Sequence, residues 1–161
     1  MHRPTSYSLL AAIAFSLPMW NHQGESPQAQ HTEASVVAVV NRLIEALNRG
    51  DSAMARSTFH PKARLITVDM RRREAAEWVR VEESAEAFIQ SLARPRTEVF
   101  EERLSNVRTM IDRGLASVWA DYKFFRGTTL NHCGADHFLL VLEGESWKII
   151  ELSDTRRTVN C

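Results

Sequence analysis

Apolar residues are densest between Leu115 and Arg157. Three runs there, Leu115–Phe125, Ala135–Glu143 and Ser146–Ser153, are rich in Val, Ile, Leu, Phe, Trp and Tyr, which suit a pleated, half-buried surface. Arg126-Gly127-Thr128-Thr129 and Glu143-Gly144-Glu145-Ser146 separate them. With Gly144-Glu145 as a two-residue loop, Gly comes first, as a type II′ hairpin turn prefers. That turn predicts a register: Glu143 opposite Ser146, Phe138 opposite Glu151, Asp136 opposite Ser153, and Cys133 near Arg156. One face of the hairpin then carries His137, Leu139, Val141, Ile150 and Leu152. The other carries Asp136, Phe138, Leu140, Leu142, Trp147, Ile149 and Glu151, because side chains alternate along a strand. Neither face is plainly polar, so both are expected to be covered. Upstream helices supply one cover, and a second copy of the chain is the candidate for the other.

Upstream the period changes. Val36, Val39, Val40, Leu43, Ile44 and Leu47 recur at three- and four-residue steps, the stripe of an amphipathic helix. Thr32 or Ser35 is its cap, and Asn48-Arg49-Gly50 its end. A short second helix starts at Asp51 or Ser52 and runs to about Phe59, where His60-Pro61 stops it. Ala63–Met70 and Ala76–Val81 read as strands of a hairpin around the polar loop Arg71–Ala75. Ser84 is the expected cap of a third helix that buries Ala85, Phe88, Ile89 and Leu92, with Pro95 beyond it. Thr97–Ile111 alternates as a long charged strand, and Asp112-Arg113-Gly114 turns the chain into the apolar stretch. Helices first and strands last predict an α+β fold, with helices packed on one face of a curved, mainly antiparallel sheet.

The 161 residues suffice for one domain with a real core. Twenty basic and twenty acidic residues balance, which argues against nucleic acid as a partner. At the N-terminus His2 and Arg3 precede the apolar run Tyr7–Leu17, followed by Pro18 and a polar segment. A basic start and a short apolar core are the features of an export signal and are too short for a membrane span. Residues 1–30 are therefore read as a signal peptide or a disordered arm, residues 31–161 as the domain, and the protein as periplasmic or secreted.

The first helix ending in Asn-Arg-Gly-Asp, the helix after the hairpin, and the closing Gly144-x-x-Trp147-Lys148-Ile149 strand resemble the nuclear transport factor 2-like (SnoaL-like) superfamily. Asn131-His132-Cys133-Gly134-x-Asp136-x-Phe138 and Asp154-Thr155-Arg156-Arg157 resemble its putative lumazine-binding group. The resemblance covers about residues 33–161. It implies a cone-shaped fold with an apolar pocket between helices and sheet, and often a homodimer through the outer sheet face. It leaves the chemistry open, since the superfamily hosts isomerases, dehydratases, cyclases, hydrolases and non-catalytic binders.

The predicted register gathers His132, Asp154, Arg156 and Arg157 at the open end of the last hairpin. A His, a carboxylate and an Arg can orient an anionic or carbonyl ligand, with the His as proton carrier near neutral pH. The same residues also suit a structural salt-bridge network, in which Asp154 and Arg156 act as one unit. Asp121, in an apolar cone, is a candidate base or acid, and His137 a candidate proton carrier or a satisfied core residue. Trp119, Tyr122, Phe138 and Arg156 are the candidate ligand-binding side chains. No nucleophile elbow, zinc-helix motif, paired-Cys motif or phosphate loop is present, so neither a metal nor a dinucleotide cofactor is expected.

Cys133 and Cys161 are the only cysteines. Export makes a disulfide between them permissible. In the predicted register Cys161 lies five residues past the partner of Cys133, so the tail must fold back to bring the sulfurs together. The alternative is a buried free thiol at Cys133. Three functional readings remain: an exported binder of a small apolar or cyclic ligand; a cofactor-independent isomerase, dehydratase or hydrolase using His/Asp acid–base chemistry; and a dimeric interaction domain. None calls for a membrane anchor.

Overall fold

The apolar stripe becomes the buried face of α1 (Glu33–Arg49), with Val36, Val40, Leu43 and Ala46 inside. The computed structural model describes residues 32–71 and 78–161; the export segment and the rest of the Arg71–Ala75 loop beyond Arg71 lie outside the described residues. Thr32 caps α1 by accepting from the Ser35 amide at 3.2 Å, and Gly50 closes it at φ 72°, a conformation that favours glycine. Asp51 accepts from the Met54 amide at 2.8 Å and starts α2 (Ser52–Thr58).

Strand β1 (Phe59–Asp69) follows at once, four residues before the predicted start at Ala63. Pro61 is tolerated because it falls between the pairs Phe59–Ile149 and Arg64–Glu151, where the ladder is irregular and no amide donor is needed. Strand β2 (Val79–Glu82) forms the predicted hairpin with β1. Helix α3 (Glu86–Leu92) takes Ala85, not Ser84, as its cap residue, although the Ser84 hydroxyl still accepts from the Glu86 amide. Then come β3 (Phe100–Asp112), β4 (Leu115–Arg126), β5 (Thr129–Glu143) and β6 (Ser146–Arg156). Strand β5 starts six residues before the predicted Ala135, because Gly127-Thr128 is a two-residue loop that pairs Arg126 with Thr129. Strand β3 starts at Phe100 instead of Thr97.

The six strands lie in the order β2-β1-β6-β5-β4-β3. All neighbours are antiparallel except β1 and β6, which are parallel. This is the expected α+β architecture of three helices on a curved, mainly antiparallel sheet. The core joins α1, α2 and α3 to the inner residues Ala116, Val118, Phe138, Leu140, Trp147 and Ile149. No helix among the described residues is long and apolar enough to cross a membrane.

The last hairpin departs from its predicted register. Gly144 takes φ 60°, and Glu143–Ser146, Leu142–Trp147 and Leu140–Ile149 pair as its turn requires. Between Leu140 and Leu139 the ladder then skips one residue of β6. Ile150 is the extra residue, and every later pair moves by one. Phe138 faces Leu152 instead of Glu151, and Asp136 faces Asp154 instead of Ser153. Cys133 faces Arg157 instead of Arg156. A bulge of this kind exchanges the faces of all residues beyond it. Leu152 therefore joins Phe138, and Glu151 joins Leu139, the reverse of the predicted faces.

The tail folds back to form the Cys133–Cys161 disulfide, with 5.7 Å between the Cα atoms. Cys133 is buried, and backbone hydrogen bonds to Arg157 at 2.8 and 2.9 Å hold the tail beside it. Closing a loop of this length contributes about 3–4 kcal/mol in the chain-entropy model. Next to it, Gly134 has no room for a side chain: a Cβ there would lie 1.7 Å from the Thr155 carbonyl oxygen and 2.7 Å from the Tyr122 ring.

Candidate functional site

The helices and the curved sheet enclose a cavity of about 720 Å³. Leu43, Leu47, Leu65 and Leu152, with the rings of Phe88, Phe100, Phe124 and Phe138, give it apolar walls. Polar side chains from five strands enter the same space: Thr67 from β1, Glu102 from β3, Tyr122 from β4, His132 and Asp136 from β5, and Asp154 and Arg156 from β6. The Ile150 bulge is the local cause of the last two, since without it Ser153 would stand opposite Asp136.

Helix α1 also positions a member of this set. The Asn48 side chain mimics a peptide, donating to the Glu102 carbonyl at 3.1 Å and accepting from the Glu102 amide at 2.7 Å. This ties the end of α1 to the edge strand β3 and sets Glu102 at the cavity.

The carboxyls differ sharply in their partners. Asp154 has both oxygens engaged: the Thr67 hydroxyl donates to one at 2.7 Å, and Arg156 Nε donates to the other at 2.6 Å. Asp136 is 4 % exposed, and its Oδ2 is buried with no hydrogen-bond partner. Two carboxyls directly opposite on neighbouring strands repel. Burial first, then the Glu102 and Asp154 charges, hold the Asp136 proton well above the ordinary carboxylate range, with Arg156 pulling the other way. Burial and the Asp154 charge likewise push Glu102 up to about 7, against the pull of Arg156.

Tyr122 donates to the Thr155 carbonyl at 2.9 Å, and burial raises its phenol well above the usual range. His132 lies between the rings of Tyr122 and Phe124, and its Nδ1 donates to Asn131 Oδ1 at 2.9 Å. Burial, then the Arg156 and Arg71 charges, lower it to about 4. Its imidazole is neutral at pH 7, so the expected role of proton carrier near neutrality does not hold for His132. Glu102 is the group whose titration falls there. At the mouth, Arg71 grips Asp69 with Nε 2.7 Å from Oδ1 and keeps that carboxyl well below its ordinary range.

Of the side chains singled out from sequence, His132, Asp154, Tyr122, Phe138 and Arg156 line the cavity. Trp119, Asp121 and His137 do not. They project from the opposite face of β4 and β5, where Trp119 is 45 % exposed, Asp121 accepts from Asn106 Nδ2 at 2.8 Å, and His137 Nε2 lies 2.8 Å from Ser117 Oγ. The alternation of β4 is the reason, since Tyr122 faces inward and its neighbours cannot. The predicted Asp154–Arg156 network is present. Asp136 and Glu102 escaped sequence reasoning. Asp136 had a signal: an acid between Gly134 and Phe138, on the apolar face of a strand. Glu102 had none, being one charge among several on an alternating strand. Among the described residues, no group of three or more His, Cys, Asp or Glu is placed to hold a metal ion.

A family model described as putative lumazine-binding matches residues 31–152. No protein of curated function matches the chain in sequence. Solved structures match its fold. A protein of unknown function with a cystatin-like fold from Nostoc punctiforme aligns at a TM-score of 0.62 and 14 % identity, covering 79 % of this chain and 92 % of that one. The beta subunit of a putative aromatic-ring-hydroxylating dioxygenase from Novosphingobium aromaticivorans aligns at 0.65 and 11 % identity, covering 83 % and 94 %. A putative dehydratase of the nuclear transport factor 2-like family from Streptomyces avermitilis aligns at 0.61 and 16 % identity, covering 83 % and 100 %.

The two raised carboxyls make stability depend on pH. In the folded chain they keep protons that the unfolded chain releases near the ordinary values of 3.8 for Asp136 and 4.5 for Glu102. Stability therefore falls as pH rises from about 4, and the Glu102 share of the loss is complete above about 7. Asp136→Asn cannot ionise. It should be more stable than wild type at pH 8, with a higher Tm, and the difference should shrink as the pH is lowered to 4. Thermal melts at the two pH values check this; a variant destabilised equally at both would show that the Asp136 carboxyl is not a cost to the fold.

Proposed function

Because the chain belongs to the putative lumazine-binding family of nuclear transport factor 2-like folds, we propose that it is an exported protein that binds a small ring-shaped molecule in this cavity. The observation that carries the reading is the Asp136 carboxyl, buried in the cavity wall with Oδ2 unpartnered. A buried polar atom without a partner costs about 1–3 kcal/mol, and a ligand that supplies the partner recovers it. A neutral carboxyl offers one donor and one acceptor. That pattern complements the adjacent N–H and C=O of a cyclic amide, as in the pteridinedione ring that the family description names. The Phe and Leu walls suit the apolar faces of such a ring. The Cys133–Cys161 bridge supports export, since disulfides persist in oxidising compartments.

The test is native mass spectrometry of the protein recovered from outside its host's cytoplasm. Wild type should retain a small molecule. Asp136→Asn, which keeps a donor and an acceptor, should retain it too, and Asp136→Ala should lose it. Retention unchanged in Asp136→Ala, or no retained mass in wild type, would overturn the reading.

One observation favours a catalytic second reading: Glu102 titrates at about 7 beside the protonated Asp136 and the Tyr122 phenol. A carboxyl matched to ambient pH is suited to general acid–base work, as in an isomerase or dehydratase. Glu102 then moves the proton while Asp136 donates to a developing oxyanion. In this reading Glu102→Gln abolishes turnover of the retained ligand by at least about a hundredfold yet leaves its retention intact. A turnover that survives Glu102→Gln removes it.

A homodimer through the outer sheet face is part of the proposal. Trp119, Met110 and Leu115 are exposed there at 45 %, 71 % and 49 %, beside the half-buried Leu139 and Val141. A two-fold contact of this face with itself would cover them. Sedimentation at tens of micromolar, roughly where weak interfaces come apart, should give a dimer that Trp119→Glu dissociates. A wild-type monomer would sink the idea.

A further inference from the structure

The cavity is basic at its mouth and acidic at its floor. Six arginines line it, Arg71, Arg80, Arg94, Arg96, Arg126 and Arg156, against four carboxyls, Glu82, Glu102, Asp136 and Asp154. Three of the arginines are spoken for: Arg71 by Asp69, Arg80 by Glu82 and Arg156 by Asp154. Among the described residues, no carboxylate pairs with Arg94, Arg96 or Arg126. Two of the four carboxyls, Asp136 and Glu102, are held toward their protonated forms. At neutral pH the lining therefore carries a net positive charge, concentrated at its solvent side, where Arg94 and Arg126 are exposed. A low-dielectric recess lined by one sign of charge draws in ions of the other.

Two of the unpaired cations are set against an aromatic wall. Arg96 and Arg126 approach the Phe100 ring at 4.7 Å and 5.1 Å from its centroid. The Arg126–Phe100 contact is fixed by the β3–β4 ladder, which pairs these residues. Arg96 is held from the other side: its Nη1 donates to the Leu47 carbonyl at 2.8 Å, at the end of α1. Its Nη2 donates to the Leu92 carbonyl at 3.4 Å; a guanidinium carries five N–H donors, so fixing two still leaves donors for a ligand, already oriented. Preorganised donors of this kind favour a charged oxygen group over bulk water.

We propose that the ligand of this cavity is an amphiphilic anion: a planar ring body against Phe100, Phe124 and Phe138, a carboxylate, sulfonate or phosphate on Arg96 and Arg126, and a polar ring edge at Asp136. The proposal rests on the reading of the cavity as a small-molecule site and adds the charge and polarity of what enters. An uncharged ring would leave the mouth unanswered, and a cation would meet the arginines first.

Two dyes with the same rings separate the two claims. 8-Anilinonaphthalene-1-sulfonate carries an anion, and N-phenyl-1-naphthylamine lacks it. Fluorescence titration should show one saturable site per chain for each, with the sulfonate bound at least about tenfold more tightly, the equivalent of one charge-assisted hydrogen bond. Arg126→Gln, at an exposed position, should bring the sulfonate to within about threefold of the neutral dye and leave the neutral dye unchanged. Raising salt on the wild type should narrow the same gap. The cavity is lined within one chain and not by Trp119, so Trp119→Glu, on the outer face, should alter neither constant even where it dissociates the dimer. Equal or tighter binding of the neutral dye, or a gap indifferent to both Arg126→Gln and salt, overturns the anion proposal while the cavity reading stands. Loss of both dyes in Trp119→Glu, or no saturable site at all, overturns the cavity reading and the anion proposal with it.

Discussion

One residue of β6, Ile150, has no partner in the ladder with β5, and the contents of the cavity depend on it. Before the bulge, Trp147 and Ile149 point into the core beside Leu140. After it, the inward positions are Leu152, Asp154 and Arg156, all three in the cavity lining. In an unbroken strand they would face outward, and Glu151 and Ser153 would replace them. The same shift lets β1 pair in parallel with Glu151 to Arg156, placing Thr67 beside Asp154. A single extra residue thus exchanges Glu151 and Ser153 for Leu152, Asp154 and Arg156 on the inner face, and so brings the Asp154–Arg156 ion pair into the cavity.

The electrostatics of the floor follow from that geometry. Asp136 is placed opposite a carboxyl that Thr67 and Arg156 already satisfy, and it has no such help itself. Between two adjacent acids, the one without donors is the one that keeps its proton. Glu102, brought in from β3 by the Asn48 clasp, adds a third carboxyl to the same field. Such an arrangement is unfavourable for folding alone, which is the physical reason to read it as a place where a ligand completes the hydrogen bonding.

The C-terminal tail stabilises the open end of this sheet. The disulfide, the Cys133–Arg157 backbone pair and the Tyr122 bond to Thr155 converge there. Gly134 allows the close approach, since any side chain would strike the Thr155 carbonyl. His132, next in the chain to Cys133, is thereby held between two rings and out of solvent, which is what keeps it neutral.

Much of this protein follows from local pattern. The helix stripe from Val36 to Leu47, the Asp51 and Gly50 caps, the Gly144 turn and the alternation of Leu115–Phe125 all express short-range preferences, and they determine the elements, their order and the α+β class. The motif residues Cys133, Gly134, Asp154 and Arg156, singled out by their resemblance to a family motif, also marked the right end of the sheet. Which acids share the cavity was a different matter. A bulge costs one residue of register and leaves no mark in composition, because Ile149-Ile150 reads equally well in a straight strand. The pairing of β1 with β6, the clasp of Asn48 on Glu102 and the gathering of six arginines around one recess join residues tens of positions apart. Their proximity is set by sheet curvature and helix packing, so only the tertiary structure decided which carboxyl would be left without a partner.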